Sequence, residues 1–175
     1  MEDEFSRTIK AGHIHETAQR HVVTADERAR EILAKRFGLP AIAALKGGFT
    51  LSHERGGVIA ARLEMTATVT QVCVITLEPF QAEIADTVDL RFVPASHHAA
   101  KEGEEEEDLT PEALDGPDEI PYDNDLLDLG EALAEQLALS LDPYPRAPGA
   151  VLPDEAQDQA SHPFAALRAR LPKPD

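Results

Sequence analysis

The chain has 175 residues, of which 33 are Asp or Glu and 16 are Lys or Arg, giving a formal net charge of −17. With 42% hydrophobic residues it can bury one core of moderate size, which excludes two large domains joined by linkers. The start, MEDEFSRT, lacks the basic and apolar regions of a signal peptide, and no uncharged apolar run approaches the length of about eighteen residues that a membrane helix needs, so a soluble, cytoplasmic protein is expected.

Taken in chain order, residues 5–9 and 20–23 carry weak strand signals. A clearer element follows, because Thr24-x-x-Glu27 matches a capping box and Ala29, Ile32, Leu33 and Phe37 recur at helical spacing before Gly38 and Pro40 stop the run. This predicts an amphipathic helix over residues 25–37. From Ala41 the period becomes two, with Ala43, Leu45, Phe49 and Leu51 on one side, and Gly47-Gly48 suggests a bulge. After a Gly-rich turn at residues 53–57, Ile59, Ala61, Leu63, Met65, Ala67 and Val69 alternate with polar or small residues, predicting a long antiparallel strand with one wet face. A third strand is predicted over residues 84–93, ended by Pro94.

The charge is unevenly placed. Between Lys101 and Arg146 there is no base at all and there are sixteen acids, whereas the remainder has 17 acids against 16 bases. A field of that sign repels phosphate backbones and attracts basic partners. Residues 95–121 within this region are poor in large apolar side chains and are expected to form a mobile acidic loop. Leu126, Leu129, Leu133, Leu137 and Leu141 then share one helical face, with Asp128-x-x-Glu131 as a second capping box, and Asp142-Pro143-Tyr144-Pro145 ends that helix. The expected organisation is a single α+β domain over residues 1–145, an antiparallel sheet of about three to five strands packed on two helices, followed by a Pro-rich tail over residues 146–175 with a short helical motif.

Four blocks in fixed order carry a resemblance: QVCVITLEPF at residues 71–80, VDLRFVP at 88–94, the helix ending in DPYPRAPG, and HPFAAL at 162–167. Together they resemble the YceD-type family of large-subunit ribosomal RNA accumulation proteins. The resemblance implies a role in accumulation of the 23S ribosomal RNA in bacteria and plastids and points to Cys73, Glu78, Pro79, Phe80, Asp142 and Pro143 as family-motif residues. Many members carry a Cys-x-x-Cys pair where this chain has Cys73 and Thr76, which puts any metal role in doubt here, since a zinc site needs about four N or S ligands.

Cys73, the single cysteine, reads as a small core residue on the apolar phase of a strand. Glu78-Pro79-Phe80 is expected to form the turn out of that strand, with Phe80 packed in the core or standing out as an anchor. His13 and His15 read as surface residues, and no catalytic, cofactor-binding or metal-ligating residue is singled out. The expected function is that of a non-catalytic factor for ribosome assembly, not an enzyme, which contacts a basic ribosomal or rRNA-processing protein. The acidic run Glu104, Glu105, Glu106, Glu107 and Asp108 would attract that partner, and Tyr144, Phe164 and Leu167 would anchor it. The alternatives are a metal-assisted ribonuclease acting on precursor RNA and an acidic chaperone or mimic for one basic protein.

Overall fold

The structure, a computed structural model, describes residues 5–96 and 116–152. Its centre is a meander of three long strands, β3 (Ala41–His53), β4 (Ile59–Val72) and β5 (Pro79–Pro94). The alternation read from β4 decides the arrangement: each odd-numbered residue from Ile59 to Gln71 is buried, while Arg62, Glu64 and Thr66 stay exposed. Antiparallel pairing sets Leu63 opposite Phe49 on one side and Val88 on the other, so apolar rows continue across the sheet. β2 (Gln19–Thr24) adds an antiparallel edge beside β3, and β6 (Asp118–Tyr122) adds a parallel edge beside β5, giving the order β2-β3-β4-β5-β6.

Among the described residues two α-helices pack on this sheet, and Phe5, Ala11, Ile14 and Leu127 complete the core beside them. Ala29, Leu33 and Ala34 of α1 (Glu27–Phe37) and Leu129, Leu133 and Leu137 of α2 (Leu129–Ser140) join one apolar cluster with Leu45, Phe49 and Leu63. Arg36 grips Glu131 through both guanidinium nitrogens, tying the two helices together. A small sheet of β1 (Thr8–Lys10) and β7 (Leu126–Asp128) leads the chain into α2. The opposite face of the main sheet is polar, and there Arg20 pairs with Glu64 and Arg62 with Asp89. This is an α+β fold with a sheet covered on one face by helices.

Several local expectations are corrected. The N-cap of α1 is Asp26, whose Oδ1 accepts from the Ala29 N–H at 2.9 Å, not Thr24. Thr24 stays in β2, opposite Lys46, so the sheet claims it before the helix can. Gly38 closes α1 in the left-handed conformation at φ 65°, as its sequence position implied. The bulge of β3 falls between Ile42 and Ala44, which buries Ile42 and exposes Ala43. Gly47 and Gly48 lie in unbroken ladder, and their smallness serves packing: a Cβ on Gly47 would sit 2.8 Å from Leu133 Cδ1. The third strand starts at Pro79, five residues earlier than expected.

Within the window expected to be loop, residues 97–115 lie outside the described residues, and the described end of it holds a strand. Asp118–Tyr122 forms β6 because an edge strand needs bonds on one side only, Ile120 packs on the core, and the Tyr122 hydroxyl donates to the Gly57 carbonyl at 2.6 Å. Leu126 belongs to β7 and is exposed, so the leucine stripe of α2 begins at Leu129.

Candidate functional site

β4 and β5 meet at a six-residue connection, 73–78, at one end of the sheet, and the segment after α2 folds against it. The turn of residues 73–77 is closed by its own backbone: Cys73 N–H donates to the Glu78 carbonyl, and Leu77 N–H donates to the Cys73 carbonyl, both at 2.9 Å. Leu77 pays for this tightness with a left-handed backbone, φ 59°, which costs a non-glycine residue about 1 kcal/mol. Glu78 therefore closes the turn, while Pro79 and Phe80 open β5. The expectation that Glu78-Pro79-Phe80 is itself the turn is corrected, and Phe80 is half-buried beside Gln71 at the rim of a cleft.

The segment after α2 docks through backbone groups. The Gln71 amide, buried at the end of β4, donates to the Asp142 carbonyl at 3.1 Å, and Val74 N–H donates to the Pro145 carbonyl at 2.9 Å. Asp142 Oδ1 accepts from Tyr144 N–H at 2.8 Å, an Asx-type turn that Pro143 stiffens. Cys73, Glu78, Pro79, Phe80, Asp142 and Pro143, scattered in the sequence, thus gather at one tip. Its exterior carries four exposed large hydrophobic residues, Val72, Val74, Leu77 and Tyr144, beside the exposed Thr76, Glu78 and Asp142, with Tyr144 at 72% and Leu77 at 76% of full exposure. Of the residues expected to bind a partner, Tyr144 lies here. Glu104, Glu105, Glu106, Glu107, Asp108, Phe164 and Leu167 lie outside the described residues.

Cys73 has no exposed surface and sits just past the end of β4, in the turn instead of on the strand. Its thiol is lowered to a pKa of about 7, first by a hydrogen bond from the Thr76 hydroxyl and then by backbone N–H groups of Ala147, Thr76 and Ile75, against an opposing contribution from burial. Thr76, standing where the resemblance implied a second cysteine, therefore donates a hydrogen bond to the sulfur instead. Among the described residues no group of three or more His, Cys, Asp or Glu is placed to hold a metal ion.

Replacing Thr76 by valine removes the leading donor, so the thiol titration, followed by thiolate absorbance, should move up from about 7. The unfolded thiol titrates near pH 8.5, roughly, so the thiolate's stabilisation is complete above that pH and is lost as pH falls through the folded value of about 7. The valine variant should show a smaller rise in stability across this window. An unchanged titration midpoint would contradict the assignment.

The fold and the tip define a small α+β domain with a one-sided sheet and an exposed apolar end held up by buried polar bonds. The chain belongs to the YceD family: the family model described as large ribosomal RNA subunit accumulation protein YceD matches residues 61–169, from within β4 past the end of α2. No curated protein and no solved structure matches the chain. Among the described residues no helix is long and apolar enough to cross a membrane.

Proposed function

We propose that this protein is a non-catalytic accessory factor for large-subunit ribosomal RNA accumulation and ribosome assembly, acting in the cytoplasm through contacts with a basic ribosomal or rRNA-processing protein. The process comes from the family to which the chain belongs. The observation that carries the protein-contact reading is the tip. Backbone groups of the motif residues hold it together, and beside the exposed carboxylates of Glu78 and Asp142 the tip presents Val74, Leu77 and Tyr144 as apolar anchors.

The charge supports a basic partner over bare RNA. The net charge is −17, and arginines that would otherwise meet phosphate are already engaged, Arg20 by Glu64, Arg62 by Asp89 and Arg91 by Glu54. The acidic run would speed encounter and the tip would hold the complex.

The test is to replace Glu104, Glu105, Glu106 and Glu107 by glutamine and Asp108 by asparagine, and separately Tyr144 by alanine, in the full chain. Each variant is measured against the partner recovered by affinity capture. The neutralised run should slow association and flatten its salt dependence, while Tyr144→Ala should speed dissociation by about tenfold or more. Unchanged kinetics in both variants would overturn the reading.

A further inference from the structure

β5 is paired to β4 from Pro79 to Phe92, but β6 covers only Leu90 to Pro94 on its other side. Among the described residues, no strand pairs with that side of β5 from Pro79 to Asp89. The direction of its free groups can be read from one bond. Thr87 N–H donates to Asp86 Oδ1 at 2.7 Å and so points away from β4. Alternate residues of a strand turn both backbone groups to the same side, hence Gln81, Glu83 and Ala85 also offer N–H and C=O outward. An edge of this kind is a template for another strand.

The surroundings of the edge define what it would take. On the helix-facing side Phe80, Ala82 and Ile84 are half-buried, and beside them runs a cleft of about 540 Å³ whose far wall is Ser140 at the end of α2, Asp142, Pro145 and Arg146. An added strand would therefore lay alternate apolar side chains on the Phe80, Ala82 and Ile84 row. On the opposite face its other side chains would meet Glu83, and its flanks on the cleft side would meet Asp86 and Asp142, so three carboxylates stand against one base, Arg146, in the cleft lining. A second copy of this chain brings the same carboxylates and a charge of −17, so edge-to-edge pairing with itself is opposed. Lysine or arginine at those positions is favoured by the same groups. The cleft is also continuous with the tip through Pro145 and Asp142.

We infer that the open edge of β5 is a strand-addition site for an extended, lysine- or arginine-bearing segment of a partner protein, with its apolar residues on the floor formed by Phe80, Ala82 and Ile84. This rests on the proposed reading that the partner is basic, and it adds the place and the form in which that partner binds. Main-chain bonds to Gln81, Glu83 and Ala85 supply the affinity, and the side-chain rows select for alternating apolar and basic residues.

The experiment uses the full chain and a synthetic peptide of alternating lysine and valine, with the same peptide carrying glutamate for lysine as control. Fluorescence anisotropy gives affinity and amide hydrogen exchange gives location. The lysine peptide should slow exchange at the amides of Gln81, Glu83 and Ala85, and the glutamate peptide should not bind. Ala85→Pro, which deletes one outward N–H, should weaken binding about tenfold. Ala85→Lys, which keeps the backbone and adds repulsion, should weaken it as well should the proline variant fail to fold.

Three results overturn the site: binding that leaves those three amides unprotected, equal binding of the glutamate peptide, or amides already protected in the chain alone, which would mean that its own segment or a second copy fills the edge. Capture from lysate separates the two levels. If neutralising residues 104–108 abolishes capture while the Ala85 variants capture normally, the edge is wrong and the basic-partner reading stands. If the peptide protects the edge but no basic protein is captured, the reverse holds.

Discussion

Replacing Gly130 by alanine is expected to strip the amino-terminal arm from the domain and lower its unfolding free energy by about 3 kcal/mol, within the range for overpacking combined with loss of a buried aromatic. Gly130 lies in the first turn of α2, where Phe5 and Arg7 cross it: an added Cβ would overlap the Phe5 carbonyl oxygen and lie 2.9 Å from the Arg7 nitrogen. Backbone atoms of the arm cannot rotate aside as a side chain would. The arm is pinned on both sides, by Leu129 N–H to the Arg7 carbonyl at 3.1 Å and by Arg7 N–H to Asp128 Oδ1 at 2.9 Å. It also buries Phe5 to 3% exposure.

Asp128 joins arm and helix electrostatically. Burial opposes its charge, yet the Ser6 hydroxyl and the N–H groups of Arg7, Glu131 and Gly130 outweigh burial and hold its carboxyl below the usual carboxylate range. A depressed folded value means this stabilisation is present above the unfolded pKa of about 3.9 and disappears as pH falls below it. A double-mutant cycle separates the causes: in a chain lacking residues 1–7, Gly130→Ala should be neutral or stabilising by up to about 1 kcal/mol, since alanine is the better helix former. Urea denaturation of the four proteins gives the answer. A full cost persisting without the arm would contradict it.

Leu133→Ala should be comparably damaging, with a loss of about 2 to 5 kcal/mol, because Leu133 is wholly buried at the centre of the contact between α2 and the sheet. Its partner across that contact is Gly47, whose absent side chain is the space that both Leu133 and Leu63 fill. Gly47→Ala alone should cost about 1 to 3 kcal/mol by overpacking, while in the Leu133→Ala background the added methyl enters the cavity and recovers part of the loss. Strict additivity of the two changes, measured by urea denaturation, would show that Gly47 does not set the approach of α2.

The sheet and helices were legible where one period ran long enough. β4 alternates over fourteen residues, and burial follows that alternation residue by residue. α1 and α2 announced themselves by apolar spacing and by acids at their starts, although at α1 a capping-box pattern at Thr24 competed with Asp26 and lost because β2 runs through Thr24. β6 was hidden because Asp118, Glu119 and Pro121 are poor strand formers, and only pairing with β5 makes them a strand. The bulge at Ala43 was hidden by the more conspicuous glycine pair.

The candidate site was legible in part. The motif residues could be named from the resemblance, but no spacing rule predicts that Gln71 reaches Asp142 or that Val74 reaches Pro145, because those bonds join segments about seventy residues apart. Leu77 and Val74 were missed as exposed anchors. An apolar run around a Glu-Pro pair reads as core, and only the left-handed turn at Leu77 shows that it faces outward. The open edge of β5 has no sequence signal at all, since being an edge depends on which strand lies next to it.

The central claim, protein contact guided by charge in support of large-subunit RNA accumulation, is tested most directly by affinity capture of the tagged full chain from lysate at low and then raised salt, with mass spectrometry for proteins and sequencing for RNA. The account predicts recovery of specific large-subunit proteins or of an rRNA-processing protein, lost as salt rises. Capture of RNA that survives protease treatment, or of no ribosomal component, would contradict it.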